Sequence, residues 1–508
     1  MIQKVVITIA RELEIPFREP IEAYAYINGR KISGERKVPV KNPANPEEIV
    51  GYYPECTQEE ATLAIESAVR AFHDWSRLSA HKRAEILLRI SEKIQEHVPD
   101  FVEVFARESG KVRWSAEGEM RALAYKLHYV ASLADEVEKV ERIDDENGKL
   151  LISRKPYGVV SAITPWNAPI LLAVGDKIAP ALLAGNVVVL KPSPFAPLIV
   201  SKIVELIGEE LPPGVLNLIH GGSDVGEVLT SHPSVSKVTF TGGGRTASHI
   251  MRSVANTFKN LTLELGGNDP AILLEDADLS EEQIQKLVVG CFFASGQVCM
   301  AAKRIYVHSS IYEKFLDTFQ TVANRWIKVG NTLNPGTTVG PLNNLQQKNY
   351  VMELLKDAEE IGATIVPLGE ILDPDYFDRG YYVRPSLVFD IEQQARLVQE
   401  EQFGPVVPVL PFATEDEAVK LANDTPYGLA ASVWSRDYER AIAFADRIEA
   451  GYVFVNIHGT PGLDIRAPFG GWKQSGIGVE GGIHGVLDFM HYQTINAPAR
   501  SLRPGIPQ

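Results

Sequence analysis

Apolar residues recur along this chain in two periods, and the change from one to the other divides it. In the first part Ala61, Ile65, Val69 and Phe72 fall on one face of a helix, and Thr57 followed by Glu60 stands ahead of them as a capping box. Ile86, Leu87, Ile90 and Ile94 predict a second amphipathic helix, and both read as scaffold without chemistry. Before them, Tyr26-Ile27-Asn28-Gly29 predicts the opening of a hairpin on an Asn-Gly turn. Residues 1 to about 20 read as a variable extension, whose apolar run Val5–Ala10 is too short for a signal-peptide core and meets Arg11 at once. Residues 140–155 form a separate unit: Val140–Ile143, an acidic stretch, Asn147-Gly148, then Leu150–Ser153. This pattern predicts a β-hairpin with a charged exterior, and a lone hairpin needs a partner surface.

From Gly158 short apolar runs alternate with stretches of helix length. Val159–Ile163, Val187–Leu190, Val215–Ile219 and Val238–Phe240 are the predicted strands. Alternation of this kind predicts a parallel sheet with helices on both faces. Each strand runs into a polar, Gly- or Pro-rich loop: Thr164–Pro169, Lys191–Pro194, His220–Ser223 and Thr241–Gly244. Ligands of open α/β sheets sit at such carboxyl ends. A second α/β segment runs from near Ala271 to about Gly462, with strands at Ile305–Val307 and Val406–Leu410. Pro468-Phe469-Gly470-Gly471 and a β-rich tail, Tyr492–Ile495, follow it. The uncharged run Tyr157–Gly175 is broken at mid-span by Pro165, Asn167 and Pro169, which argues against a membrane span. Internal repeats and low-complexity segments are absent.

Composition narrows the function classes. A chain of 508 residues with 45% hydrophobic and 23% charged residues is an ordinary globular protein of two or three domains. The net charge of -15 argues against nucleic acid as a partner. Three cysteines, Cys56, Cys291 and Cys299, with no C-x-x-C spacing, offer neither a disulfide framework nor a metal site, so no metal is expected. A cytoplasmic protein in a reducing compartment is the expectation.

Several residues carry chemistry in a context that gives it a use. Cys299 follows Ser295-Gly296-Gln297-Val298, where glycine permits close backbone approach and a cysteine can be presented as a nucleophile. By itself, a buried structural cysteine is the commoner outcome. Glu264 ends the strand-like run Leu263-Glu264-Leu265 before Gly266-Gly267; burial there would raise its pKa toward that of a general base, while a solvent-facing strand end is the plainer alternative. Asn167, in the Pro-rich loop Thr164–Pro169, can aim its amide at an oxyanion or serve as a turn residue. Lys191, after an apolar strand and before Pro192-Ser193, suits a ribose or phosphate, or is a surface lysine. Thr241-Gly242-Gly243-Gly244 can open a helix N-terminus to a pyrophosphate or be a turn. Glu401 and Phe403, in Glu400–Val406, can meet ribose hydroxyls and a nicotinamide ring, or be a charged loop entering a strand. Cys291 lies in a helical apolar context and reads as core.

Taken together and in this order, Trp166-Asn167, Lys191-Pro192, Phe240-Thr241-Gly242, Leu263–Gly267, Gly296–Cys299, Glu401–Pro405 and Pro468–Gly471 resemble the aldehyde dehydrogenase superfamily from about Tyr26 to about Ile495. The resemblance implies an α/β fold with a Rossmann-like NAD(P)-binding domain (residues 1–139 and 156–265), an α/β catalytic domain (266–465), and a small β oligomerisation element made of the hairpin 140–155 and the tail 485–500. It implies oxidation of an aldehyde to an acid with NAD or NADP. In the matching positions Cys299 is the nucleophile, Glu264 the base that activates water, and Asn167, with the Cys299 N–H, the oxyanion donor. Ile163, Pro165, Trp166, Lys191, Ser193, Gly226, Gly242, Gly243, Leu265, Glu401 and Phe403 fall at cofactor-binding positions; of these, Ile163, Pro165, Trp166 and Lys191 match contacts to the adenosine half. Ala168, Phe293, Val298 and Met300 border the acyl pocket. The implied partners are a small aldehyde and further copies of the chain, as a homodimer or homotetramer, with no nucleic acid and no membrane.

Three features depart from the family pattern. Pro194 stands where NAD-preferring members often carry a glutamate for the adenosine ribose, which leaves NAD and NADP both open. The phosphate loop reads Gly242-Gly243-Gly244 with Ala247 at its usual last glycine, and Asn167–Lys177 is one residue longer than usual. Small Ala168 beside Phe293 leaves room for a medium aliphatic or aromatic aldehyde, and Arg466 is a candidate clamp for a substrate carboxylate. Acyl transfer to coenzyme A, which generally lacks the water-activating glutamate, and a non-catalytic member of the fold are the alternatives.

Overall fold

A computed structural model describes residues 20–499. The extension expected over residues 1 to about 20 falls almost wholly outside them, and Arg500, the end of the expected tail, lies beyond them too. Local signals act as their physics requires. Thr57 caps the helix Gln58–Trp75 and Glu60 answers with its carboxylate, a complete capping box. Asn28 and Gly29, both with positive φ, turn the hairpin between Ala25–Ile27 and Arg30–Ile32. The second stripe buries Leu87, Ile90 and Ile94 on the helix Ala80–Glu96.

The central sheet of the first α/β unit has eight strands. Its five middle strands run parallel in the order Asn260–Glu264, Val235–Thr241, Val159–Ile163, Val187–Lys191 and Leu216–Leu218. Antiparallel strands close both edges: Gly476–Ile477 on one side, and the Ala25–Ile32 hairpin, through Leu218 against Tyr26, on the other. The chain starts in the middle with Val159–Ile163, builds two strands to one side and then two to the other. Strand order thus reverses beside Val159–Ile163, the kind of switch point at whose carboxyl end open α/β sheets bind ligands. The middle strands are buried on both faces, which explains their continuous Val and Leu runs.

The second unit is a seven-stranded sheet, Thr364–Pro367, Ser386–Phe389, Val406–Phe412, Ala302–His308, Asp269–Leu273, Ala430–Trp434 and Tyr452–Val455, parallel except for the first. Glu141–Asp145, Gly148–Pro156 and Met490–Pro498 form a third, antiparallel sheet, so the hairpin takes the C-terminal tail as its partner strand. Its faces leave Ile143, Tyr492 and Ile495 exposed. Among the described residues no helix is long and apolar enough to cross a membrane.

Candidate active site

Strand Asn260–Glu264 delivers Glu264 at its carboxyl end, and strand Asp269–Leu273 of the second sheet begins five residues later. The link between them passes under the loop that carries Cys299: a Cβ on Gly267 would stand 2.8 Å from the Cys299 carbonyl oxygen, and one on Gly266 would strike Glu401. The two glycines after Glu264 are therefore what lets the two units meet.

Cys299 lies between the helix Glu281–Phe292 and the strand Ala302–His308. The preceding turn holds Ala294, Ser295 and Gly296 consecutively at positive φ, strained for the first two. Hydrogen bonds hold it there: Ser295 Oγ donates to the Gly340 carbonyl at 2.9 Å, and Gln297 Oε1 accepts from the Asn343 N–H at 2.9 Å. A Cβ on Gly296 would collide with the Gly404 carbonyl. Cys299 is half-buried, whereas Cys56 and Cys291 are buried, the latter on its helix as expected. Enclosure pushes the Cys299 thiol up to about 12, with the Lys303 ammonium pulling against it. Its own N–H has no hydrogen-bond partner among the described residues. Asn167 Nδ2 donates to the Gln297 carbonyl at 3.0 Å, which ties that amide to the cysteine loop.

Glu264 is buried, and neither carboxylate oxygen has a hydrogen-bond partner. Burial, then the nearby charge of Glu480, push its carboxyl well above the usual range. Sequence reasoning missed the pair behind it. Lys177 is fully buried, donates to Thr241 Oγ1 at 2.8 Å and is ion-paired to Glu480, 303 positions away. The charged Asp176-Lys177 step inside the apolar run Ile170–Leu183 was the available signal.

Cys299, Glu264 and Asn167 open on one cavity of about 320 Å³. Ala168, Phe293, Val298 and Met300 all line it, together with Phe469 of the Pro468–Gly471 motif and with Trp114, Leu171, Leu172 and Ile465, which the sequence had not singled out. Trp114 and Phe293 stand with ring centroids 5.7 Å apart. The stretch Leu171–Ile178 is π-helical, the form a helix takes when it absorbs an extra residue. That widened turn sets Leu171, Leu172 and Asp176 on the cavity wall. The remaining charges on the wall are matched: Lys126 with Asp176, Lys111 with Glu119 at 2.9 Å, and Asp464 with Arg466 at 2.6 Å. Arg466, considered above as a carboxylate clamp, is instead 77% exposed, held by Asp464 and absent from the wall. Its location two residues past Asp464 lets a local ion pair turn it outward.

The expected cofactor positions lie along the carboxyl ends of the first sheet. Ile163 ends its strand and Pro165 and Trp166 continue from it; Lys191 ends the next strand, beside Gly226. Burial lowers the Lys191 ammonium to about 8, and it has no ion-pair partner among the described residues. Ser193 Oγ accepts from the Phe195 N–H at 3.3 Å within its own loop. Gly242 follows strand Val235–Thr241, and Gly243 begins the helix Gly244–Val254 with no side-chain cap. The Gly242 N–H donates to the Glu264 carbonyl at 3.0 Å, while the free N–H groups of Gly243, Gly244 and Arg245 and the unpaired lysine suit a dinucleotide, whose phosphates a helix N-terminus attracts. Leu265, half-buried, donates its N–H to the Ser475 carbonyl. Glu401 accepts from the Gly267 N–H at 3.1 Å, and Trp166 stands edge-on to Phe403 with centroids 5.5 Å apart. Trp166, expected at the adenosine half, thus touches a residue expected at the nicotinamide.

Comparison with known proteins agrees with this arrangement. The aldehyde dehydrogenase family model matches residues 30–495. A chloroplastic betaine aldehyde dehydrogenase of Beta vulgaris is 37% identical over 474 residues, covering 91% of this chain and 93% of that protein. A peroxisomal aminoaldehyde dehydrogenase of Pisum sativum is 37% identical, covering 91% and 94%. The crystal structure of betaine aldehyde dehydrogenase from Staphylococcus aureus in complex with NAD+ superposes with a TM-score of 0.88 at 37% identity, covering 93% of this chain and 94% of that one. This chain belongs to the aldehyde dehydrogenase family and is an NAD(P)-dependent oxidoreductase of aldehydes.

Proposed function

We propose that this enzyme oxidises neutral, largely apolar aldehydes, aromatic or medium aliphatic, to the free acids, with Cys299, Glu264 and Asn167 as its catalytic residues. The observation that carries the substrate class is the cavity itself: Trp114, Leu171, Leu172, Phe293, Val298, Met300 and Phe469 surround Cys299, and the charges on the wall other than Glu264 are already paired. An anionic substrate would find no free counter-charge, a cationic one only Glu264, whose carboxyl burial holds toward its neutral form, and either would lose its hydration on entry.

In the first step the Cys299 thiol gives its proton to a water molecule, Sγ bonds to the aldehyde carbon, and the carbonyl oxygen becomes an oxyanion. Asn167 Nδ2 and the free Cys299 N–H donate to that oxygen in a cavity lined largely by apolar side chains. The dinucleotide, held by Lys191, the Gly243 helix start, Glu401 and Phe403, supplies the hydride acceptor when bound. A thioester on Cys299 results. Glu264, with both oxygens free, takes a proton from water as the water oxygen attacks the thioester carbon; the acid leaves and the thiol is restored. The Lys177–Glu480 pair, which shares the Glu264 neighbourhood, is suited to exchange that proton onward. An unpartnered base at this position supports hydrolysis over transfer to coenzyme A, which needs no activated water.

The family uses NAD or NADP, and here the loop after Lys191 presents Pro194 rather than a carboxylate, so acceptance of both cofactors is part of the proposal. So are the division into an NAD(P)-binding domain, a catalytic domain and an oligomerisation element, and a cytoplasmic homodimer or homotetramer. The three-stranded sheet with exposed Ile143, Tyr492 and Ile495 supports the assembly. The test is reduced-nicotinamide formation with NAD+ and NADP+ across benzaldehyde, hexanal, betaine aldehyde, 3-aminopropanal and succinic semialdehyde. The neutral aldehydes are expected to lead in kcat/KM by on the order of a hundredfold. A charged aldehyde at the head of the series would overturn the substrate assignment.

A further inference from the structure

One buried cation near the nucleophile has no part in the steps above. Lys303 sits in the strand Ala302–His308, four residues after Cys299, with its side chain 3% exposed. Its ammonium donates to the Cys299 carbonyl oxygen and lies 3.6 Å from Glu401 Oε1. The same Glu401 Oε1 accepts from the Gly267 N–H at 3.1 Å, in the link that leaves Glu264. We propose that Lys303 is a positioning residue of this reaction: its ammonium ties the backbone of the nucleophile to the carboxylate of Glu401, so that one buried cation sets both the cysteine loop and the ribose clamp. The proposal rests on Cys299 as nucleophile and Glu401 as a ribose ligand, the roles assigned above.

The surroundings of Lys303 make the tie consequential. Two carboxylates and one thiol share this cation. Glu401 and the thiol have been described; the third is Asp269, at the start of the strand Asp269–Leu273, fully buried with Oδ2 unpartnered. Burial pushes Asp269 up to about 7, with Lys303 the first charge opposing the rise. His458, also close, is driven down to about 3 by burial and then by Lys303, and so stands neutral. From the side of the thiol the facing groups are Lys303, Glu401, Asp269 and Glu264: one cation against three acids. Arg304, also buried, faces Asp269 as a second cation, but Lys303 alone faces the thiol; a cation among several acids is divided between them, and whatever weakens one claim on it strengthens the others. Removing Lys303 should make thiolate formation harder and leave Glu401 without its charged anchor. Neutralising Asp269 should act in the opposite sense on the thiol.

The experiment is alkylation of the full-length protein by iodoacetamide as a function of pH, read on the Cys299 peptide by mass spectrometry, alongside KM for NAD+ and kcat. In the wild type, labelling at Cys299 is expected to outpace that at buried Cys56 and Cys291, and to extinguish dehydrogenase activity. Lys303→Met is expected to slow Cys299 labelling at any fixed pH below the thiol's midpoint by about tenfold or more, the equivalent of an upward shift of the rate–pH profile by about one pH unit, the usual effect of losing an adjacent opposite charge. The same variant is expected to raise KM for NAD+ by about tenfold, as for one displaced charge-assisted contact. Lys303→Arg should restore most of both. Asp269→Asn should speed labelling at the same pH, and this opposite sign stands as the test even where Lys303→Met fails to fold. Unchanged labelling of Cys299 in Lys303→Met, or slower labelling in Asp269→Asn, would overturn the role of Lys303. Alkylation of Cys299 that leaves activity intact would instead overturn the nucleophile assignment beneath it.

Discussion

Replacing Glu264 by Gln should separate the two halves of the proposed reaction. The substitution keeps the side-chain volume in a buried position and removes only the proposed base. In the wild type both carboxylate oxygens are unpartnered and the carboxyl sits well above the usual carboxylate range, raised first by burial and then by Glu480. The base form therefore grows as pH rises, and the hydrolytic step should climb with pH through the raised value. A positioned general base contributes roughly 10²- to 10⁴-fold, or about 3–5 kcal/mol of barrier. Steady-state turnover of Glu264→Gln should fall by that factor and lose its pH-dependent climb. Thioester formation does not need water, so stopped-flow absorbance should still record a burst of reduced nicotinamide in proportion to the active sites. Unchanged turnover with no burst would refute water activation by Glu264. Loss of the burst to the same degree as turnover would assign Glu264 to the thiol proton rather than to water.

Cys299→Ala should abolish both dehydrogenase and esterase turnover, measured with an aldehyde and an activated ester; retained ester hydrolysis would move the nucleophile elsewhere. Asp176→Asn frees Lys126 on the cavity wall, and should raise kcat/KM for succinic semialdehyde relative to hexanal by about tenfold, the value of one charge-assisted contact. Glu108, buried where it accepts from the Leu198 and Ile199 N–H groups, is pushed by burial from an ordinary 4.5 to about 8. The folded state holds that proton longer than the unfolded chain, so this contribution to stability is fully present below the unfolded value and is lost as pH rises through about 8. Glu108→Gln should flatten that fall, read as the thermal midpoint against pH, and an unchanged slope would remove Glu108 as its source.

Much of this protein was legible in its sequence because the deciding interactions are short in range. The capping box of Thr57 and Glu60, the Asn28-Gly29 turn and the apolar strands ending at Ile163 and Lys191 each depend on residues a few positions apart. The motifs around Asn167, Glu264 and Cys299 were visible in the same way, and the fold brings them to one cavity. What surrounds them was not. Lys177 meets Glu480 across 303 positions, Asn167 meets the cysteine loop across 130, and Lys126 meets Asp176 across 50. Lys303 shows the limit most sharply: its tie to Cys299 spans four residues, but its significance comes from Glu401 and Asp269, which other strands and loops supply. Periodicity and turn chemistry report how a segment folds; they carry no record of which distant charge will be buried beside it. The sequence therefore determined the elements and the reactive groups, while only the tertiary structure decided which charges neutralise one another, which carboxylate is left free, and hence which of those groups can act.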